Sequence, residues 1–590
     1  MTEPSPRLLR VWLAAILLVT FAAYAPTLHY DFCWDDRLAA MGSNGQHAHP
    51  LVAELRPIGE YFSNHYWPHV TPVGFTYRPL TTLSFALRYA VVGDHPQVAH
   101  AINVALHVLA TWLAFCLLRA VGARWVPALL GTAVFGLHAI HSEAVTSVVG
   151  RAELLGFAGA AGAFLLLLRA RGVAGPGRGL LRLAACALLF GAFCSKESAL
   201  AWVAFTPLCF LVRGWAHPPA AAAPTSVGWR DRASEAAVVL LPALAFLALR
   251  ARMIAHLPGT VDPAVDVVAN PLLHAGFVTR ALTGLMMWGY GLLLTLLPYD
   301  LAIDYGPAQF PIVTGFGQPE VFFALVGGAA IGGLLVGGLI VARRHPLLFL
   351  ATACFLGFSF IVSNIPFACF MLFGERTYYT PSFGGALLVA WAAAKLTQRE
   401  ALRGPALVAL GVWLGMSLHV LVDHNAAWRD NATLVSREVH DHPRSVRLLR
   451  EAAADHAVVD EMGLAQHYYE RAVALDPGLM GAWIALAAIY REAGELDRAA
   501  AALQAAATAR RDGRGQLIVR LHSGRARLHL AQGDATAALT ALDACVAEAP
   551  DYLATHQELR RVVSNLATNG ASGVRERAQR LLEAAVPLGR

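Results

Sequence analysis

The chain has 590 residues, of which 56% are hydrophobic and 15% charged, with a net charge of +6 and a mean hydropathy of +0.50. Soluble globular chains of this length rarely carry so much apolar side chain, so the composition is that of a polytopic membrane protein. The small positive charge is scattered between apolar runs, where it reports membrane topology and gives no nucleic-acid footprint.

A short basic start leads into an apolar run over 8–28 without a small-residue cleavage site, which reads as an uncleaved first span. A polar loop, 29–97, follows. It carries the bare acidic pair Asp35-Asp36 in FCWDDR and then Tyr77-Arg78-Pro79. Two adjacent carboxylates beside a membrane are costly to desolvate and repel each other, so they suggest chemistry, although capping of a following helix is the bland alternative. Further apolar runs near the length needed to cross a bilayer centre on 98–119, 125–141, 152–168, 181–194, 198–213, 236–254, 277–297, 320–342, 347–366, 380–394 and 404–422. With Arg7 and Arg10 in the cytoplasm, the first seven spans also put Arg119, Arg124, Arg169, Arg171, Arg178, Arg182, Arg213, Arg230 and Arg232 there, while Arg250 and Arg252, near the external end of the seventh, count against this topology. Arg343, Arg344, Lys395, Arg399 and Arg403 join them only if 277–297 does not cross. That segment is therefore expected to be re-entrant or interfacial, leaving about eleven spans and placing both the first loop and everything after residue 423 outside.

After a connector at 424–445 the pattern becomes Ala-rich and amphipathic. Pro443 and Pro477 are separated by one tetratricopeptide length, and Pro550 follows after two more periods plus five residues. Repeats are expected over 446–552, with Ala465, Tyr469 and Ala472 in one, Trp483, Ala487, Tyr490 and Gly494 in the next and Ala526, Gly533 and Ala538 in the third; capping helices are expected over 553–590. The expected fold is all-α: a membrane domain over 98–423 behind the first span and loop, then an α-solenoid.

Polar residues at span ends gather on the outer face: Asp35, Asp36, Arg78, His138, His141, Glu143, Arg151, Glu153, Lys196, Asp300, Asp304, Glu375 and Arg376. The histidines and Glu143 have metal-like residue types, but their spacing fits a hydrogen-bonded turn better, and no metal or other cofactor is predicted. Carboxylates and cations at the mouth of an apolar bundle suit sugar transfer from a polyprenyl phosphate. The lipid tail occupies a groove, a cation stabilises the leaving phosphate, and a carboxylate deprotonates the acceptor hydroxyl. One base and one in-line attack imply inversion. The rivals are a transporter, which would need polar groups at the bilayer midplane, and a non-catalytic membrane-anchored repeat scaffold for protein interaction.

The acidic pair, YRPL from Tyr77, HAIHSEAV followed by VGRAELL, CSKES around Lys196, LPYDLAIDYG, ERTYYTPS from Glu375 and NAAW from Asn425, in this order ahead of the repeats, resemble the transmembrane and tetratricopeptide repeat-containing proteins of the C-type membrane glycosyltransferase superfamily. The resemblance implies O-mannosyl transfer from a dolichyl-phosphate mannose donor to Ser or Thr of secreted proteins, with the repeats on the lumenal side; on the present reading their concave surface holds an extended acceptor segment, the alternative being a docking module for a partner protein. It implies Asp35 or Asp36 as the base, without deciding between them. Arg151, Lys196 and Arg376 become candidates for the donor phosphate. Arg78, His138, His141, Glu143, Glu153 and Glu375 become candidates for the substrate pocket. Only Lys196 and Lys395 among the 46 basic residues are lysines, which with abundant Ala and Gly suggests a GC-rich bacterial genome and hence an inner-membrane protein facing the periplasm.

Overall fold

The computed structural model describes residues 5–42, 49–67, 76–216, 229–256, 270–369, 371–396, 399–509, 516–549 and 557–584. Among them there is no strand, and the chain divides into two units, the second made of the chain from Glu438 onward together with the described residues 270–271 and 306–310.

The first unit is an integral membrane bundle. Helix α1 (Pro6–Tyr24) starts at Ser5, whose side chain accepts from the Leu8 amide, with Pro6 in the first turn where its missing N–H costs nothing. Proline at the same position opens α2 (Pro79–Val92), α3 (Pro96–Ala120), α6 (Pro176–Ser195) and α11 (Pro346–Ile361). The remaining helices are α4 (Trp125–Gly136), α5 (Arg151–Ala170), α7 (Trp202–Ala216), α8 (Trp229–Ala255), α9 (Phe277–Leu296), α10 (Val321–Val341), α12 (Phe383–Leu396) and α13 (Glu400–Ala427). Nine helices among the described residues have the length and hydropathy of a span, and the pair Trp125–Gly136 and Ala139–Thr146, bent by 49°, reaches that length only when taken together, as a broken span or a re-entrant segment. The run read as one span over 125–141 is thus broken: the His138 side chain accepts from the Ile140 amide and starts a new turn.

Two faces follow from the contacts. At one, the loop after α1 meets the start of α3, the loops before α5 and α12, and the end of α13: Cys33 donates to the Trp428 carbonyl and the Trp34 amide to Asn431 Oδ1. We call this the Asp35 face. At the other, Arg171 after α5 and Arg178 and Arg182 of α6 pair with Glu235 and Asp231 at the start of α8.

Helix α9 is unbroken over 20 residues and apolar enough to cross, yet its neighbours lead both its ends back to the Asp35 face. Near its start Thr279 bonds to the Thr314 carbonyl and Thr283 accepts from the Val313 amide, while Gly284 abuts Ser363, just past the end of α11. Its last turn stops beside His138 and Trp413 and next to Gly385, the third residue of α12, which continues to Leu396 before reaching the opposite face. Six residues after Leu296, the Ala302 amide is already bonded to Glu375 on the Asp35 face. If α9 is set aside as a dipping helix, eleven apolar segments are left, α1, α3, the bent pair, α5–α8 and α10–α13, of which α11 and α12 are shorter than a full span. Glycine makes the dip possible: a Cβ on Gly289 would lie 2.5 Å from the Gly327 Cα, so α9 and α10 cross backbone to backbone.

The second unit consists of helical hairpins. Helix α14 (Asn431–Asp441) leads to α15 (Val446–Val458) and α16 (Met462–Leu475), α17 (Met480–Glu492) and α18 (Leu496–Thr508), α19 (Gln516–Ala531) and α20 (Ala535–Glu548), and α21 (Gln557–Asn569) and α22 (Ser572–Ala584). Asp460, Gly494 and Gly533 take left-handed backbone conformations in the turns within the first three pairs, which explains the glycines. Ala465, Ala472, Ala499, Ala506, Ala526 and Ala538 are buried where helices cross closely. The segment expected as a cap is a fourth hairpin, whose Leu559, Val563, Ala578 and Leu581 close the apolar cluster of the third around Leu539, Leu542 and Cys545.

Candidate active site

The loop leaving α1 reaches Asp35 through Trp34, which holds φ +52, a left-handed conformation that a bulky side chain rarely adopts. Its amide is fixed by Asn431 Oδ1 at 3.0 Å. Strain at this residue turns the chain so that Asp35 and Asp36 point to different surroundings.

Asp36 is fully buried and fully used. Its Oδ1 accepts from Ser147 Oγ (3.0 Å) and the Val149 amide (2.8 Å), and its Oδ2 accepts from the Val148 amide (2.9 Å). Burial pushes this carboxyl up to about 6, although the three donors pull the other way. It pins the 147–149 turn to the first loop, and no path leads from it to an acceptor. The expectation that either member of the pair could be the base is therefore narrowed: Asp36 is an anchor.

Asp35 retains 13% side-chain exposure, and its Oδ2 accepts from both terminal nitrogens of Arg376 at 3.1 Å. Arg376 is in turn held by Glu143, whose Oε2 takes the Arg376 amide at 2.9 Å and whose Oε1 lies 3.4 Å from the guanidinium. Burial pulls the guanidinium down, but Glu143 and Asp35 more than offset it and hold it above its ordinary value.

A second cluster adjoins the first. Arg78 Nε meets Glu197 Oε2 at 3.0 Å and stacks over the Tyr66 ring at 5.1 Å, and Glu197 also accepts from the Tyr77 amide. Lys196 is ion-paired with Glu153, and burial draws its ammonium below its ordinary value. Glu153 also acts electrostatically on Arg78 and Arg376, so the two clusters are neighbours. Arg78 and Arg376 keep 18% and 13% side-chain exposure against 9% for Lys196, which makes them the better-placed cations for an anionic ligand.

Four other sequence candidates lie away from this cleft. Arg151 is 1% exposed, bonded to Asn103 Oδ1 and the Ala99 carbonyl at 3.0 Å and stacked on Phe85, so it braces α5 against α2 and α3 and cannot reach a lipid phosphate. His138 and His141 are fully buried, the first on the Thr295 carbonyl and the second on Ser382 Oγ among Phe135 and Tyr379. Glu375 is fully buried and accepts from the Ala302 amide and the Tyr305 hydroxyl, tying the loop after α9 to the turn that carries Arg376. All four are anchors around the site. Among the described residues no three His, Cys, Asp or Glu side chains gather as a metal group.

Several partners escaped sequence reasoning because nothing in their type marks them. Asn103, Ser147 and Tyr305 are ordinary residues whose roles come only from contacts. Asn425, within the NAAW motif, takes Ser142 Oγ at 2.6 Å and Thr146 Oγ1 at 2.8 Å and so fixes the segment bearing Glu143 to α13.

Comparison with known proteins agrees with the resemblance read from the motifs. The chain is 26% identical over 509 residues to the mouse protein O-mannosyl-transferase TMTC3, covering 81% of this chain and 52% of that protein. It is 31% identical over 326 residues to Drosophila melanogaster Tmtc2, covering 53% of this chain and 33% of that one. Over 145 residues it is 37% identical to Drosophila melanogaster Tmtc1, covering 24% of this chain and 16% of the other. Both of these are also named protein O-mannosyl-transferases. The chain thus spans about half the length, or less, of the curated relatives it matches. No family model and no solved structure matches it.

Proposed function

We propose that this chain is an inverting membrane glycosyltransferase that moves a hexose, mannose by its relatives' names, from a polyprenyl-phosphate carrier to hydroxyl groups of a protein acceptor on the extracytoplasmic face. The observation that carries this reading is the accessible Asp35 carboxylate held by an arginine that a second carboxylate, Glu143, also grips at its amide and guanidinium. Asp35 takes the proton of the acceptor Ser or Thr hydroxyl as its oxygen attacks the anomeric carbon. The bond from that carbon to the carrier phosphate breaks on the opposite side, and the phosphate leaves with the electron pair. Arg376 and Arg78 stabilise the charge the phosphate gains, and a guanidinium fork suits its oxygens better than an ammonium does. The hairpins of the second unit would hold an extended acceptor segment, a use to which helical repeat arrays are suited.

The test is transfer of label from polyprenyl-phosphate hexoses to protein in membranes containing the wild-type chain or Asp35→Asn. Label that reaches protein only with Asp35 intact supports the enzyme. Equal and complete inactivity of both with every donor, alongside retained binding of partner proteins, supports the scaffold instead.

A further inference from the structure

A cavity of about 550 Å³ lies at the face opposite Asp35, walled by α5, α7 and α8. Its sides are Leu167, Phe210, Leu211, Val239 and Leu240, and Leu211 and Leu240 are 44% and 48% exposed, so the cavity opens sideways toward lipid. Its mouth is polar. Arg171 grips Glu235 through two bonds of 2.8 and 2.6 Å and stacks on Phe210, which leaves Glu235 neutralised. Arg232 stands at the same mouth, exposed, and supplies the net positive charge. Inside, the Thr206 hydroxyl is buried in the lining with no hydrogen-bond partner among the described residues, a cost that a bound polar atom would remove.

We propose that this cavity binds an anionic glycerophospholipid from the leaflet opposite Asp35, with its phosphodiester at Arg232 and Arg171, an ester oxygen at Thr206 and an acyl chain along the apolar walls. Two features select this occupant. A free phosphate has no use for apolar walls open to the bilayer. The tail of a polyprenyl carrier whose phosphate reacts at the Asp35 face would end here as hydrocarbon and would leave Arg232 and Thr206 unanswered. A phospholipid satisfies the charge, the hydroxyl and the walls together. The inference does not depend on the catalytic reading.

The experiment uses the full chain in nanodiscs containing phosphatidylglycerol with a photoreactive group on one acyl chain. Label is expected on peptides from Trp202–Ala216 and Trp229–Ala255, competed by unlabelled phosphatidylglycerol and not by phosphatidylcholine. Arg232→Gln should weaken it about fivefold, the worth of one surface cation facing an anionic lipid, and Ala236→Trp, which fills the mouth from an exposed position, should abolish it. Equal competition by phosphatidylcholine, competition by polyprenyl phosphate alone, or labelling unchanged in both variants would overturn the proposal.

Discussion

Asp35 and Arg376, 341 positions apart in the chain, meet through a forked contact in which both guanidinium nitrogens lie 3.1 Å from one carboxylate oxygen. The arginine that would receive the carrier phosphate therefore also orients the base. Removing Asp35 leaves Arg376 paired with Glu143, so Asp35→Asn should fold normally and lose transfer by about 100- to 10,000-fold, the usual worth of a general base. Initial rates with labelled donor, beside melting temperature in detergent, check both halves of this statement.

Glu143 touches Arg376 at its amide and at a guanidinium nitrogen that it shares with Asp35. Glu143→Gln keeps one acceptor but loses the charge that fixes the guanidinium. Donor KM should rise about tenfold, a loss of about 1.4 kcal/mol, with a smaller change in kcat. A kcat that falls while KM stays constant would instead make Glu143 part of the proton transfer.

Asp36 should behave as a stability residue. Asparagine offers one oxygen where three donors converge, so Asp36→Asn should cost about 1–3 kcal/mol. The wild-type carboxyl is raised from 3.8 to about 6 on folding. What it contributes is therefore fully present below about pH 3.8 and lost as pH rises through about 6, by about 3 kcal/mol for a shift of this size. The asparagine variant does not titrate there, so the gap in melting temperature between the two proteins should narrow from about pH 4 to about pH 7. A gap that widens over that interval would be inconsistent with a raised carboxyl.

Lys196 and Glu153 are both nearly buried, at 7% and 3% exposure. Lys196→Met strands a buried carboxylate and should destabilise by about 3–5 kcal/mol, whereas Lys196→Met with Glu153→Gln should recover most of that loss. Thermal melting of the two variants and the wild type completes the comparison.

The dipping course of α9 predicts sidedness. In a background without native thiols, Arg429→Cys should react with an impermeant maleimide from the same side as His95→Cys, at the start of α3, and Arg344→Cys only from the other. Labelling of Arg344→Cys from the side of His95→Cys, with Arg429→Cys reacting only from the other, would show that α9 crosses.

What could be read from the sequence was the chemistry of residue types at span ends, and what could not was the direction in which each side chain points. Asp35, Glu143 and Arg376 form one ion-paired group, and Arg78 pairs with Glu197 in the cluster beside it. Arg151, His138, His141 and Glu375 have the same polar character and the same positions at helix ends, yet they face packed neighbours. Nothing in a linear pattern separates a buried arginine satisfied by Asn103 from one open to a ligand. The break at His138 was hidden because the apolar run continues through it. The first two hairpins were legible because Ala465 and Ala472 recur 34 positions on as Ala499 and Ala506, while the third is offset by five further residues. The exception is the fourth hairpin, whose period is less regular and whose helices are more polar.

The dip of α9 also bears on how the protein is made. An insertion machinery that weighs hydrophobicity meets in α9 a 20-residue helix whose 18-residue window has mean hydropathy 1.2, the lowest of the nine span-length helices among the described residues, and could thread it straight across. Every later helix would then enter with its orientation reversed, and α12 and α13 would offer Arg376 and Asn425 to the wrong compartment. Arg343 and Arg344, immediately after α10, oppose that error because translocating them is expensive. Charge at these two positions therefore favours the orientation in which Arg376 shares a face with Asp35, far from the carboxylate itself.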